Sequence, residues 1–138
     1  MTHSLSTLLR PRLKKQLGVL LVSATLLTAP LLSFAEPDAK TQSEITQLLQ
    51  FIGHSDCSFI RNNKNHDADE AVEHIQKKYE HFYEDIDTAE KFIEVSATGS
   101  LISRKPYYID CPGQERQTSS AWLNSQLAEI RAKSKSDS

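Results

Sequence analysis

The chain has 138 residues, 38% of them hydrophobic and 25% charged, with 16 basic residues against 18 acidic ones and a formal net charge of −2. That length suits one domain rather than several. Because Arg10, Arg12, Lys14 and Lys15 sit at the extreme amino end, the remainder lacks the basic footprint that nucleic acid or an anionic membrane surface would require of a main partner.

Residues 1–35 read as a secretory signal peptide. Those four cations form a basic region, Leu17 to Leu32 an apolar one, and Ser33-Phe34-Ala35 ends on the small residues that signal peptidase selects, so cleavage is expected after Ala35. The apolar run spans 16 residues, includes Gly18 and Pro30, and falls short of the roughly 20 needed to cross a bilayer. An uncleaved anchor is the alternative. No cysteine follows the cleavage site, which disfavours a lipoprotein. The expected product is periplasmic, without a stable membrane anchor, and keeps 103 residues with 12 basic and 18 acidic side chains, a net charge of −6.

Residues 36–42 contain Pro37 and are mostly polar, which predicts a flexible leader. Thr41 with Glu44 offers a capping box, and Ile45, Leu48, Leu49 and Ile52 recur at helical spacing up to Gly53, so a helix is predicted from Ser43 to Ile52. Cys57 to Arg61 is short and rich in aromatic and β-branched residues, which predicts a strand, stopped by the turn formers Asn62-Asn63. Asp67 followed by Glu70 makes a second capping box for a helix whose Ala68, Ala71, Val72, Ile75, Tyr79 and Phe82 share one face. Asp67, Asp69, Glu70 and Glu73 lie near its amino end and Lys77 and Lys78 further on, opposing the helix dipole, with Glu73 and Lys77 a favourable pair.

A third capping box, Asp87 to Glu90, opens a shorter helix with the stripe Ala89, Phe92, Ile93 and Ala97, ending by Thr98-Gly99. Pro106 forces its predecessor to be extended, so Tyr107 to Asp110 is predicted as a strand closed by the Cys111-Pro112-Gly113 turn. Ser119 or Ser120 can cap a last helix carrying Leu123, Leu127 and Ile130, with Trp122 beside them and Arg131 and Lys133 at its carboxyl end. The domain is bounded at 43–131, and 132–138 is expected to be a disordered tail.

Cys57 and Cys111 are the only cysteines, and in an oxidising compartment they are most simply a disulfide, with two free thiols as the alternative. Each abuts an extended run. If Cys57 faces Cys111, an antiparallel ladder sets Phe59 opposite Ile109 and Arg61 opposite Tyr107, all on one face, with Ile60 and Tyr108 on the other. The expected fold is α+β and mostly helical: about four helices with a short antiparallel strand pair clipped by one disulfide.

Two groups of residues carry chemical potential. Asp67, Glu70, His74 and His81 fall within about 60° on the second helix; Glu70 and His74, four apart, are candidate metal ligands, with His66 one turn earlier, against the alternative of a solvated face. The loop Ser100 to Tyr107 gathers hydroxyls, Arg104, Lys105 and a tyrosine between a helix and a strand, where anions or peptide termini are often bound. A binding surface is therefore expected from Arg61, Asn62, His66, Glu70 and His74 together with Ser100, Ser103, Lys105 and Tyr107. No G-x-S-x-G or S-x-x-K motif supports a serine nucleophile. Neither a catalytic set nor a cofactor is expected.

The segments Cys57 to Asn62, Glu70 to Ile75, Thr88 to Ile93, Lys105-Pro106-Tyr107 and Cys111-Pro112-Gly113, followed by Trp122-Leu123, resemble the YfeK-like family of small exported bacterial proteins. The resemblance covers Ser43 to Arg131 and implies export, a single domain and no established activity. The family motifs read R-N-G and S-S-x-S-G-K-P-Y; here Asn63 and Arg104 stand where the glycines fall. The expected function is a non-catalytic binding or inhibitor-like module acting on another envelope protein. The alternatives are a metal-dependent or hydrolytic enzyme built on Glu70 and His74, and a structural accessory protein of an envelope complex.

Overall fold

In a computed structural model that describes residues 37–136, Cys57 and Cys111 are bridged with their Cα atoms 4.2 Å apart. The bridge sits at the base of the expected ladder. Strand β1 (Ser58–Arg61) pairs antiparallel with β3 (Tyr108–Asp110), Phe59 facing Ile109 and Ile60 facing Tyr108. Phe59 and Ile109 are buried and Tyr108 is exposed, as the period of two requires. The signal segment and its cleavage site lie outside the described residues.

Two further strands complete a four-stranded antiparallel sheet in the order β2-β1-β3-β4. Neither has an apolar alternation to betray it. β2 (Lys64–His66) exists because Asn62 and Asn63 adopt φ of 51° and 64°, the left-handed pair of a two-residue hairpin turn that folds the chain back on β1. β4 (Gln117–Thr118) pairs with β3 and runs directly into the last helix.

Four α-helices among the described residues share one core with this sheet: α1 (Ala39–Gly53), α2 (Ala68–His81), α3 (Ala89–Phe92) and α4 (Ser119–Ser136), with α2 and α4 against the strands and α1 and α3 against other helices. Their apolar stripes meet in one core, in which Ile45, Leu48 and Ile52 join Phe92, Leu123 and Leu127. Each such side chain contributes about 1.5–3 kcal/mol by leaving water. Trp122 closes the core beneath the sheet, its ring 4.4 Å from that of Phe51 and 5.8 Å from that of Phe59.

The helix ends correct several expectations. α1 begins at Ala39, because Asp38 takes the cap and accepts from the Thr41 amide at 2.7 Å; Ala39 to Gln42 are helical rather than a flexible leader. α2 has the expected capping box, with Asp67 and Glu70 each accepting from the other's amide. α3 is capped by Thr88 rather than Asp87. α4 is capped by Thr118, which accepts from the Ala121 amide at 3.2 Å, in place of Ser119 or Ser120. It also continues to Ser136, so 132–136 are helix and not a disordered tail.

After α3 the chain widens into a π-helical turn, Ile93–Ala97, in which the Thr98 hydroxyl donates to the Ile93 carbonyl at 2.9 Å. Within that turn Ser96 is fully buried and its Oγ has no hydrogen-bond partner among the described residues. A buried hydroxyl left unpaired costs about 1–3 kcal/mol. Ser96→Ala should therefore hold or raise stability, by up to about 1 kcal/mol, as read from the urea midpoint; a loss of that size would show that the hydroxyl is satisfied.

Candidate functional site

Tyr107 is the residue around which both candidate groups converge. Its amide donates to the Thr98 carbonyl and its carbonyl accepts from the Ser119 amide, each at 2.9 Å, so its backbone is tied on both sides. The tie requires a close approach. A Cβ at Gly99 would lie 2.8 Å from the Lys105 carbonyl oxygen, so only glycine fits where the two segments bridge through Pro106.

So held, the buried Tyr107 side chain meets His74 from α2. The hydroxyl lies 3.2 Å from His74 Nε2 and the rings cross edge to face. Lys78, one helical turn on, places its Nζ 5.5 Å from the centre of the Tyr107 ring and donates to the Gly99 carbonyl at 2.9 Å. Arg61 comes from the end of β1, next to the turn. Among the described residues neither Arg61 nor Lys78 pairs with a carboxylate.

The electrostatics follow from this crowding. Burial, then the positive charges of Arg61 and Lys78, push the His74 imidazole down to about 4, so it is neutral at physiological pH. Burial raises the Tyr107 hydroxyl, which stays protonated. Burial and Arg61 lower Lys78. Beside the pair is a small indentation of about 30 Å³, room for about one water-sized group. Phe59, Ala71, Ile75 and Ala97 form its apolar floor, and Arg61, His74 and Tyr107 line its edge.

The loop before Tyr107 folds against the hairpin. Ser103 donates from Oγ to Asn62 Oδ1 at 2.9 Å, while its amide donates to Ser100 Oγ and the Arg104 amide to the Ser100 carbonyl. Arg104 has a φ of 58°, and Asn63 one of 64°. The two glycines of the family motifs thus fall on left-handed backbone, which glycine adopts freely and asparagine tolerates. At the loop tip Leu101 is half-exposed and Ile102 is 97% exposed.

Arg61, Asn62, His66, His74, Ser100, Ser103, Lys105 and Tyr107 are accordingly brought to one end of the molecule. Glu70 and His74 do not act as a pair: Glu70 Oε2 is taken up by His66 Nδ1 at 3.2 Å and the Asp67 amide, and His74 Nε2 by Tyr107. His81 lies against the Phe82 ring. No group of three His, Cys, Asp or Glu among the described residues is placed to hold a metal. Lys78 reads from the sequence only as a charge opposing the helix dipole and not as part of the site, although its spacing of four from His74 on one helix is a usable signal.

The depressed His74 value has a consequence for stability. The unfolded chain takes up the imidazole proton near pH 6.5 and the folded one only near 4, so the contribution is full above the first value and is lost as pH falls to the second. With the partial exposure of the ring discounted, about 1 kcal/mol should separate the ends of that window. Urea midpoints of wild type and His74→Gln, compared between pH 4 and 7, should diverge on this account; parallel profiles would contradict it.

Residues 39–131 match the family described as "Family of unknown function (DUF5329)". The "Uncharacterized protein YfeK" of Salmonella typhimurium is 38% identical over 87 residues, covering 62% of this chain and 71% of that protein. No solved structure matches.

Proposed function

Given that the chain belongs to the DUF5329 family of unknown function, we propose that it is an exported, non-catalytic binding module for another envelope protein. Its recognition surface is the face made by the β1–β2 hairpin, the first turns of α2 and the Ser100 to Tyr107 loop. The observation that carries this reading is the convergence of Arg61 and Lys78, which among the described residues have no carboxylate partner, on the His74–Tyr107 pair, with Leu101 and Ile102 exposed in the loop that leads to Tyr107.

The pair is passive as chemistry. Tyr107 holds its proton more tightly than a free tyrosine and His74 binds one more weakly than a free imidazole, so neither an activated nucleophile nor a poised base results. A rigid surface suits recognition, because little ordering is left to be done on binding. Export through cleavage after Ala35 fits a domain closed by a disulfide, and no helix among the described residues is long and apolar enough to cross a membrane.

Affinity capture from periplasmic extract tests this reading, using wild type, Arg61→Glu on the face and Gln47→Glu on α1 away from it. Wild type and Gln47→Glu should retain the same stoichiometric protein, and Arg61→Glu should lose it. Equal retention by Arg61→Glu would remove the face from consideration. Stoichiometric metal in the purified wild type would favour the enzymatic alternative instead.

A further inference from the structure

We propose that the indentation beside Tyr107 captures the free carboxylate end of a peptide chain, Arg61 taking the carboxylate and the apolar floor taking a small aliphatic last side chain. This rests on the binding reading above and adds the chemistry of what is bound.

Three observations select that occupant. The first is size: about 30 Å³ of open space accepts a methyl-sized or slightly larger group and little more. The second is lining. Phe59, Ala71, Ile75 and Ala97 offer no hydrogen bond to an entering group, whereas Arg61, also among the lining residues, carries a guanidinium, a planar fork matched to a carboxylate. An apolar floor under a cationic edge fits a group that is itself apolar on one side and anionic on the other, as a terminal aliphatic residue is.

The third is charge distribution. A chain that carries 12 basic and 18 acidic residues beyond Ala35 nevertheless gathers cations at this end. Lys64 faces Arg61 across the hairpin, and Arg104 and Lys105 follow the serine that bonds Asn62. The local field therefore attracts an anion to a protein that repels it elsewhere. Of the acids at the start of α2, Glu70 is engaged by His66 and Asp67 accepts from the Glu70 amide.

The test uses the oxidised chain from Glu36 onward and three hexapeptides of one apolar sequence. One ends in alanine with a free carboxylate, one ends in alanine carboxamide, and one is a carboxamide with aspartate at the fifth position. Binding is read by heteronuclear NMR shifts at Arg61, His74 and Tyr107. The free acid should saturate these shifts, the plain amide should bind at least tenfold more weakly, and Arg61→Gln should abolish the difference while Arg61→Lys keeps part of it. Equal binding of acid and amide overturns the proposal. So does binding of the aspartate peptide as tightly as the acid, which would make the site a receptor for side-chain carboxylates. Failure of every peptide also overturns it and leaves the capture experiment with Arg61→Glu as the separate test of the face.

Discussion

Removing the Cys57–Cys111 bridge should lower the stability of the domain by about 4 kcal/mol, the loop-closure value for a crosslink of this span. The bridged residues are 54 apart in sequence, and the chain between them contains β2, α2, α3 and the loop leading to Tyr107. Without the bridge, β1 and β3 are joined by a ladder of only three facing pairs. For a domain of this size the loss corresponds to a fall in melting temperature of roughly 20 °C. Thermal unfolding of the oxidised protein and of the Cys57→Ser, Cys111→Ser double variant measures it. A difference of less than a few degrees would mean that packing alone sets the register.

Replacing Arg131 by alanine should be the most damaging single change to a charged side chain, costing about 3 kcal/mol. Its guanidinium makes two hydrogen bonds to Glu44 of α1, at 2.9 and 2.8 Å, and two more to Glu90 of α3. Both carboxylate contacts raise the Arg131 value, and Arg131 in turn holds Glu90 low. The two acids differ in what they lose. The Glu44 side chain is 6% exposed and would be left as a buried, unpaired charge, whereas that of Glu90 is 50% exposed and is resolvated by water. The double variant Glu44→Leu, Arg131→Leu should recover most of the loss, because it removes the stranded charge together with its partner. If Arg131→Ala costs under 1 kcal/mol, water reaches Glu44 readily and the network is a surface feature.

Arg131 also bears on why the starts of α1 and α3 were harder to read than their bodies. Glu44 and Glu90 stand where capping-box glutamates belong, but both are drawn to a guanidinium 87 and 41 residues away, and the caps fall to Asp38 and Thr88. A distant partner overrode a local signal. At α2 no such partner competes, and the Asp67–Glu70 box formed as expected. The ladder of β1 and β3 was legible because two cysteines pin it. Strands β2 and β4 were not, since Lys64-Asn65-His66 and Gln117-Thr118 carry no apolar alternation and are strands only because a turn and a neighbour place them. The site shows the same division. Each candidate group was visible in the sequence, but the contact of His74 with Tyr107, 33 residues apart, is made by the ties of Tyr107 to Thr98 and Ser119 and has no local signature.

The face formed by the hairpin, α2 and the Ser100 to Tyr107 loop is proposed as the place where this protein meets its partner. A photo-crosslinking side chain placed at Ile102, which is 97% exposed and makes no packing contact to lose, tests this most directly when compared in cells with one placed at Gln47 on α1. The expected result is a single abundant protein adduct from position 102 that Arg61→Glu abolishes, with none from position 47. An adduct from position 47 alone, or one from position 102 that Arg61→Glu leaves unchanged, would contradict it.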